Sequence, residues 1–387
     1  MKNTFVTDSV KYIGVDDADI DLFESQYKVP NGVSYNSYVI MDEKIAVMDT
    51  ADKRRGREWA EKLEAALEGR TPDYLVVSHM EPDHAANIAN VAAKYPSMKI
   101  VGNVKTFTMI GQFFDIDIED RKVVVKEGDT LELGSHTLKF VMAPMVHWPE
   151  VMMSYETSEK ILFAADGFGK FGTIACDEDW DDEARRYYFN IVGKYGVQVQ
   201  NVLKKLDGVP VSVICPLHGP VLNENLSHYL GLYDTWSSYK PETEGVFIAY
   251  ASIHGNTKIA AEKLAEIFKA KGVEALEIAD VSRTDISECV SKAFRYSRIV
   301  LAAASYDAGV FAPMHDFLSH LISKGYKNRK VALVENGSWG PTAAKTMRAM
   351  LEQMKDIAIC ENTVTIRSAM KAADEEKLEA LADELLK

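Results

Sequence analysis

Four side chains able to hold a cation sit within one six-residue stretch, His79-Met80-Glu81-Pro82-Asp83-His84. Three more of the same types follow at long intervals: His147, Asp166 and His218. Imidazole nitrogens and carboxylate oxygens together suit first-row transition ions, and a large carboxylate share favours a harder, redox-active ion such as iron. Seven donors are enough for two ions side by side. In an extended chain alternate residues point the same way, so an extended 79–83 aims His79, Glu81 and Asp83 to one side. Asp83 and His84 are neighbours and can face different ions.

Taken singly, the later donors are unremarkable in type. His147 lies in Ala143-Pro144-Met145-Val146-His147-Trp148-Pro149, where two prolines stiffen a loop. Asp166, before Gly167 and Gly169, reads alone as a turn residue. His218, in Cys215-Pro216-Leu217-His218-Gly219-Pro220, sits in a second rigid turn. Between two cations, a carboxylate such as Asp166 offsets their mutual repulsion. His136, His228, His315 and His320 lack this context and read as structural or surface residues, as does His254 on metal grounds. Cys176, Cys215, Cys289 and Cys360 form no Cys-x-x-Cys pair, which excludes a zinc ribbon or a rubredoxin-type iron site within the chain. They read as buried, unpaired thiols.

A second chemistry lies further along. Ser252-Ile253-His254-Gly255-Asn256-Thr257 follows an apolar run and opens a helical pattern. Backbone N–H groups at a helix start, with small hydroxyl and amide side chains, make an anion site. The stretch lacks the Gly-Lys-Ser/Thr of a Walker loop, so nucleoside triphosphates are disfavoured. Two further loops follow later strands: Ser305-Tyr306-Asp307-Ala308-Gly309 and Asn336-Gly337-Ser338-Trp339-Gly340. Ligands bind at the carboxyl ends of strands in open α/β sheets. Tyr306 and Trp339 can lie against a planar ring, and the glycines let backbone approach its polar edge.

The elements that must position these groups divide the chain in two. Its 387 residues exceed what one core usually serves. The polar segment Lys240-Pro241-Glu242-Thr243-Glu244-Gly245 reads as a linker, so domains of 1–241 and 242–387 are expected. Strand runs in the first half fall at 44–48, 74–78, 138–143, 161–165 and 211–215, with amphipathic helices at 54–68, 85–94 and 180–206. Every donor follows a strand or lies in a connecting loop. The second half alternates more regularly, with strands at 246–251, 275–278, 299–303, 331–334 and 357–366. Helices are predicted at 258–271, 285–295, 314–323, 343–355 and 375–386. That is a doubly wound, parallel five-stranded sheet.

Composition is ordinary for a globular protein, with 47% apolar and 26% charged residues. A net charge of -14 gives no basic excess to neutralise phosphates, so nucleic acid is not an expected partner. No apolar run suits a bilayer, and Met1-Lys2-Asn3-Thr4 opens no apolar signal segment. A cytoplasmic protein without membrane partners is expected. The acidic run 177–182 reads as carboxylates at a helix start, favoured by the helix dipole.

Together these motifs resemble the flavodiiron proteins, or A-type flavoproteins, over essentially the whole chain. Ser34-Tyr35-Asn36-Ser37-Tyr38, His147-Trp148-Pro149 and Gly167-Phe168-Gly169-Lys170-Phe171-Gly172 support the resemblance. It implies an α/β and α+β two-domain chain, a metallo-β-lactamase-like αββα sandwich followed by a flavodoxin-like sheet binding FMN. It also implies one iron held by His79, Glu81 and His147, the other by Asp83, His84 and His218, and a bridging Asp166. In dinuclear zinc hydrolases of this layout a histidine usually stands at the position of Glu81. Ser252, His254, Gly255, Asn256, Thr257, Ser305, Tyr306, Asp307, Ala308, Gly309, Asn336, Gly337, Ser338, Trp339 and Gly340 are the expected flavin contacts. Pro341 and Thr342 depart from the commoner glycine-rich wording. No catalytic residue beyond the metal ligands is expected.

The implied activity is reduction of dioxygen to water, nitric oxide to nitrous oxide, or both, with electrons relayed through FMN. The implied donor is a separate rubredoxin, a reduced deazaflavin or a flavin reductase. The implied assembly is a head-to-tail homodimer or a dimer of dimers. Trp148, Tyr35 and Tyr187 are candidates for the pocket wall, with simple packing as the competing reading. The rival reading is a dinuclear zinc metallohydrolase carrying a flavodoxin-like regulatory module, in which a metal-bound hydroxide attacks an ester or amide.

Overall fold

The computed structural model describes residues 4–387, which form two compact units. The first runs to Tyr188 and resumes over Tyr195–Asp234. The second comprises Phe189–Lys194 and Thr235–Lys387.

The first unit holds two packed sheets. One contains β1 (Val10–Tyr12), β2 (Tyr38–Ile40), β3 (Ala46–Met48), β4 (Tyr74–Val76), β5 (Lys99–Gly102) and β6 (Lys122–Val124), neighbours in that order. The other contains β7 (Thr130–Glu132), β8 (Thr137–Met142), β9 (Met152–Glu156), β10 (Ile161–Phe163) and β11 (Val213–Cys215), again in order. Their inner faces share one core: Ile40, Met48, Val76 and Val101 from the first meet Phe140, Met152, Phe163 and Val213 from the second. Outer helices complete the αββα layering. α1 (Gly56–Leu67) buries Gly56, Trp59, Leu63, Ala66 and Leu67, the three-and-four spacing of one helix face. α2 (Ile88–Lys94) and α3 (Val104–Phe113) follow it, the latter capped by Asn103.

The helices of this unit differ from the sequence reading in three ways. The predicted helix over 180–206 is broken into α4 (Trp180–Tyr187) and α5 (Gly196–Leu206), separated by a π-turn at Tyr188–Val192 and a 3-10 turn at Gly193–Tyr195. Gly193 and Gly196 weaken the helix there by about 1 kcal/mol each. The break frees Phe189–Lys194 for the second unit, where Phe189 stacks on Phe294 at 4.0 Å and Asn190 donates to the Ser287 carbonyl. The helix expected from residue 85 starts only at Ile88, and helices at Val104–Phe113 and α6 (Leu226–Ser237) were not expected. Asp179 caps α4 by accepting from Asp181 N and Asp182 N, so the acidic run does serve a helix start.

The second unit is a parallel sheet of β12 (Thr243–Ala251), β13 (Leu276–Asp280), β14 (Tyr296–Tyr306), β15 (Arg329–Asn336) and β16 (Ile357–Ile366), ordered β13-β12-β14-β15-β16. A two-residue strand, Gly309–Val310, pairs antiparallel with the end of β14. α7 (Asn256–Ala270) and α11 (Ala372–Leu386) pack Leu264, Phe268, Leu378 and Leu381 against Ile248, Val300 and Val334. α8 (Ile286–Arg295), α9 (Ala312–Ser323) and α10 (Ala343–Leu351) belong to the opposite face. This is the flavodoxin strand order, with its switch point between β12 and β14. No helix among the described residues is long and apolar enough to cross a membrane.

Candidate metal centre and flavin-type cleft

The first donor loop leaves β4 and turns sharply. Glu81 is extended, at φ -60 and ψ 138, but Pro82–Ala85 is one helical turn with proline at its start. Proline is pre-organised for that position. The expected extended run therefore stops at Glu81, and the helical turn swings Asp83 and His84 away from it. The two halves of the motif join two different donor groups. His79, Glu81, His147 and Asp166 form one; Asp83, His84 and His218 form the other, and within each group the donor atoms lie within 4.8 Å of one another.

Asp166 stands between the groups. Its Oδ2 is 3.4 Å from His79 Nε2 and 3.1 Å from His147 Nε2. Its Oδ1 is 3.4 Å from His84 Nε2 and 3.9 Å from His218 Nε2. Both oxygens are buried without a hydrogen-bond partner, as are both oxygens of Asp83. Buried carboxylates are normally satisfied, so four orphaned oxygens in one place call for a cation.

The imidazoles tell the same story. His84 Nε2 and His218 Nε2 face each other at 3.0 Å. His218 donates its Nδ1–H to the Ser34 carbonyl at 2.7 Å, which leaves a lone pair on Nε2. His79 Nδ1 lies 2.8 Å from Glu150 Oε1, which also accepts from Met80 N at 2.8 Å. Glu150 is held below the usual carboxylate range: burial opposes this, but His79 and the Met80 amide outweigh it. As an ionised acceptor it requires Nδ1–H on His79, so Nε2 is the nitrogen left to face, with Asp166 and Glu81, the space a cation would fill. A carboxylate behind a histidine is a common way to fix a metal ligand.

Backbone and rings hold the loops in place. Asp49, in the left-handed region at φ 55, accepts from Ser78 N at 2.7 Å and His79 N at 3.3 Å. Burial pushes its carboxyl up to about 6 against those hydrogen bonds. Thr50 Oγ1 donates to the His84 carbonyl. Trp148 meets the His79 ring edge-on at 5.2 Å, and Tyr187 and Tyr35 lie 5.4 and 6.2 Å from the His218 ring. All three wall candidates thus pack on donor histidines. Burial alone would lower the His147 pKa, but Asp166 and Glu81 raise it to about 9. Protons and metal ions compete for such nitrogens.

The donor set fits two transition ions: four imidazoles, three carboxylates and no thiolate. Glu150 and Asp49 were not singled out from sequence, and Ser34 was noted only as part of the stretch 34–38. The local signal for Glu150 was a lone acid closing the stiff His147-Trp148-Pro149 loop.

In the second unit the carboxyl ends of β12, β14, β15 and β16 surround a cleft of about 740 Å³, within the usual range for cofactor sites. Ser252, His254, Asn256 and Thr257 line it at one end; Ser305, Tyr306, Asp307, Ala308 and the stretch Asn336 to Gly340 line the rest. Gly255 and Gly309 do not. Gly255, at φ +90, makes the turn into α7, whose start has no side-chain cap. Those amide N–H groups are therefore available to an anion. Gly309 pairs with Tyr306 and accepts from Thr342 Oγ1. Ser305 accepts from Thr342 N and Ala343 N, so it ties its loop to α10. Trp339 is 95% exposed and Tyr306 51%, which removes a core role for either. Ser368, beyond β16, also lines the cleft and was missed; following the fifth strand to its carboxyl end would have reached it. The cleft's size, its uncapped helix start and its exposed rings fit a flavin mononucleotide.

A two-sheet sandwich with seven converging metal donors, on one chain with a flavodoxin-type sheet, defines a metal- and flavin-dependent oxidoreductase. The family described as "ODP family beta lactamase" matches residues 33–219. An anaerobic nitric oxide reductase flavorubredoxin of Salmonella arizonae is 27% identical over 362 residues, covering 90% of this chain and 74% of the relative. An uncharacterised protein of Methanocaldococcus jannaschii is 26% identical, covering 95% of this chain and 93% of its own length. Among solved structures, rubredoxin oxygen:oxidoreductase of Desulfovibrio gigas superposes with a TM-score of 0.91 at 25% identity, over 99% of this chain and 97% of that one. In fold and over nearly its whole length the chain is similar to the flavodiiron proteins.

Proposed function

We propose that this protein reduces dioxygen to water, nitric oxide to nitrous oxide, or both, at a diiron centre fed with electrons through FMN. The observation that carries the reading is the pair of donor groups sharing Asp166, its carboxylate oxygens orphaned, on the same chain as a flavin-sized cleft. One iron would be held by His79, Glu81 and His147, the other by Asp83, His84 and His218, with Asp166 between them. The first domain, 1–241, is assigned to the metals and the second, 242–387, to FMN. Bound there, the irons and the flavin supply the electron-transfer chemistry.

The chain's own residues supply placement. Glu150, Ser34 and Asp49 fix ligand orientation; Trp148, Tyr35 and Tyr187 wall the histidines; the α7 amides, Ser252 and Thr257 receive the flavin phosphate, and Tyr306 and Trp339 flank its ring. Names of relatives speak of both substrates and of rubredoxin. A separate rubredoxin, a reduced deazaflavin or a flavin reductase is the proposed donor, and a head-to-tail homodimer or dimer of dimers the proposed assembly. Free, mostly buried cysteines suit a cytoplasmic setting.

The test is metal and flavin content of anaerobically purified protein, followed by turnover with each gas. Two irons, one per donor group, with FMN and rapid oxidation by either gas, are expected. Zinc that iron supplementation cannot replace, with esterase or amidase turnover, would transfer the assignment to a zinc metallohydrolase.

A further inference from the structure

The stretch Ser34-Tyr35-Asn36-Ser37-Tyr38 contains no metal donor, yet it grips the loop that carries one. Asn36 lies between the strand Val33–Tyr35 and β2 and is fully buried. Its Nδ2 donates to the Pro216 carbonyl at 2.9 Å and to the Gly219 carbonyl at 2.7 Å. Its backbone N–H donates to the Leu217 carbonyl at 2.8 Å. Three carbonyls on either side of His218 therefore accept from this single residue. Tyr12 Oη donates to Asn36 Oδ1 at 2.8 Å. Only the NH2 end of an amide can serve two carbonyls, and only its oxygen can receive a hydroxyl proton, so all these contacts agree on one orientation.

The same stretch also holds His218 directly, through the Ser34 carbonyl on Nδ1, while Ser34 Oγ accepts from Gly219 N at 2.7 Å. The other donors of that group have no comparable support. His84 Nδ1 and both Asp83 oxygens are buried without a hydrogen-bond partner. The geometry of the Asp83, His84 and His218 group is thus fixed from outside mainly at His218, and the His218 loop is fixed mainly by Asn36.

We propose that Asn36 is a positioning residue for one ion of the pair: through the 216–219 backbone it sets the place of the His218 imidazole, and with it the metal affinity of the Asp83, His84 and His218 group alone. It rests on the two-ion reading of the centre, and not on which metal or gas that centre uses. Asn36→Ala removes both amide donors at once. Asn36→Asp keeps the shape but sets a carboxylate against two carbonyls, so acceptors face acceptors and the loop must move.

Cobalt titration of metal-free full-length protein, with a competing chelator, tests it. In Asn36→Ala one ion should bind about 10- to 100-fold more weakly and the other at the wild-type affinity, and Asn36→Asp should lose more. In a His218→Ala background the Asn36→Ala change should have no further effect, because its only route to the metal is gone. Wild-type affinity for both ions in folded Asn36→Ala, equal weakening of both, or an undiminished effect in the His218→Ala background overturns the proposal. Should Asn36→Ala fail to fold, Tyr12→Phe removes only the hydroxyl that orients the amide. It should weaken the same ion several-fold, and unchanged affinity there overturns the proposal as well. A wild-type protein that takes up fewer than two cobalt ions breaks the two-ion reading instead, and does so before any variant is made.

Discussion

The two sites are built by opposite means. In the first unit six of the seven donors are buried and Glu81 is partly so, and those whose second atom matters are held from behind: His79 by Glu150, His218 by the Ser34 carbonyl, the 78–79 backbone by Asp49. In the second unit the cleft is made of strand-end loops and an uncapped helix start, and its two aromatic rings stand in solvent. The difference follows from what each must hold. A metal ion accepts donors only within about 0.5 Å of their proper places, so the protein must fix them beforehand. A flavin-sized ligand gathers many weak contacts and tolerates movement in any one. Damage to the first site should therefore be severe and confined to metal; damage to the second should be graded.

Asp166→Ala is the strongest test of that contrast. It removes the one carboxylate that faces both donor groups. Loss of metal affinity should exceed the roughly 10- to 100-fold typical of removing a ligand's supporting partner. Metal analysis should find at most one ion per chain, while flavin content stays at the wild-type level. Joint loss of flavin would show that the sites are not independent.

Glu150→Gln sharpens the comparison by leaving every ligand in place. The amide is nearly isosteric, but it removes the charge that fixes the His79 Nδ1–H. Metal affinity should fall about 10- to 100-fold, measured by chelator competition, with little change in thermal midpoint. An unchanged affinity would mean that a neutral oxygen at position 150 holds the His79 ring as well as a carboxylate does.

Trp339→Ala probes the other side. With its ring 95% exposed, the residue contributes little to folding. An aromatic contact with the flavin is worth about 0.5–1.5 kcal/mol, so flavin affinity should weaken roughly 2- to 12-fold and metal content not at all. Fluorescence titration of the flavin-stripped protein reads this. No change would place the ring off the flavin.

These contrasts also explain what was legible in the chain before its structure. Metal donors carry their chemistry in side-chain type, so His79, Glu81, Asp83, His84, His147, Asp166 and His218 could be picked out across a span of 140 residues. The five strands of the second unit were legible because buried parallel strands are continuous apolar runs. Pairings between distant segments were not. Glu150 lies 71 residues from His79, and nothing local to either announces the other. The helical turn at Pro82–Ala85 was hidden by a motif that alternates like a strand, although Pro82 was the available signal. The break at Tyr188–Tyr195 was masked by periodicity that continues through it, with Gly193 and Gly196 as its only marks.

The smallest expected effect lies in the first unit, away from the donors, at His136. Its Nδ1 is 2.6 Å from Asp42 Oδ2, and its Nε2 lies near Ser9 Oγ and Glu159 Oε2. Burial disfavours the imidazolium, but the Asp42 hydrogen bond and the charges of Glu156, Asp42 and Glu159 prevail and raise its pKa. A raised folded-state value means that this stabilisation is complete below the unfolded value of about 6.5 and is lost as pH rises through the folded value. Asp42 shifts the opposite way: burial opposes it, but His136 and neighbouring amides hold it well below the usual range. Its contribution is present above about pH 4 and is lost as pH falls further. The pair should therefore be strongest between those limits. In apo protein, His136→Gln should flatten the alkaline side of the thermal-midpoint profile and leave metal affinity unchanged. A slope that persists in the variant would assign the pH dependence to the donor histidines, and stability and metal binding in this unit would then share the same protons.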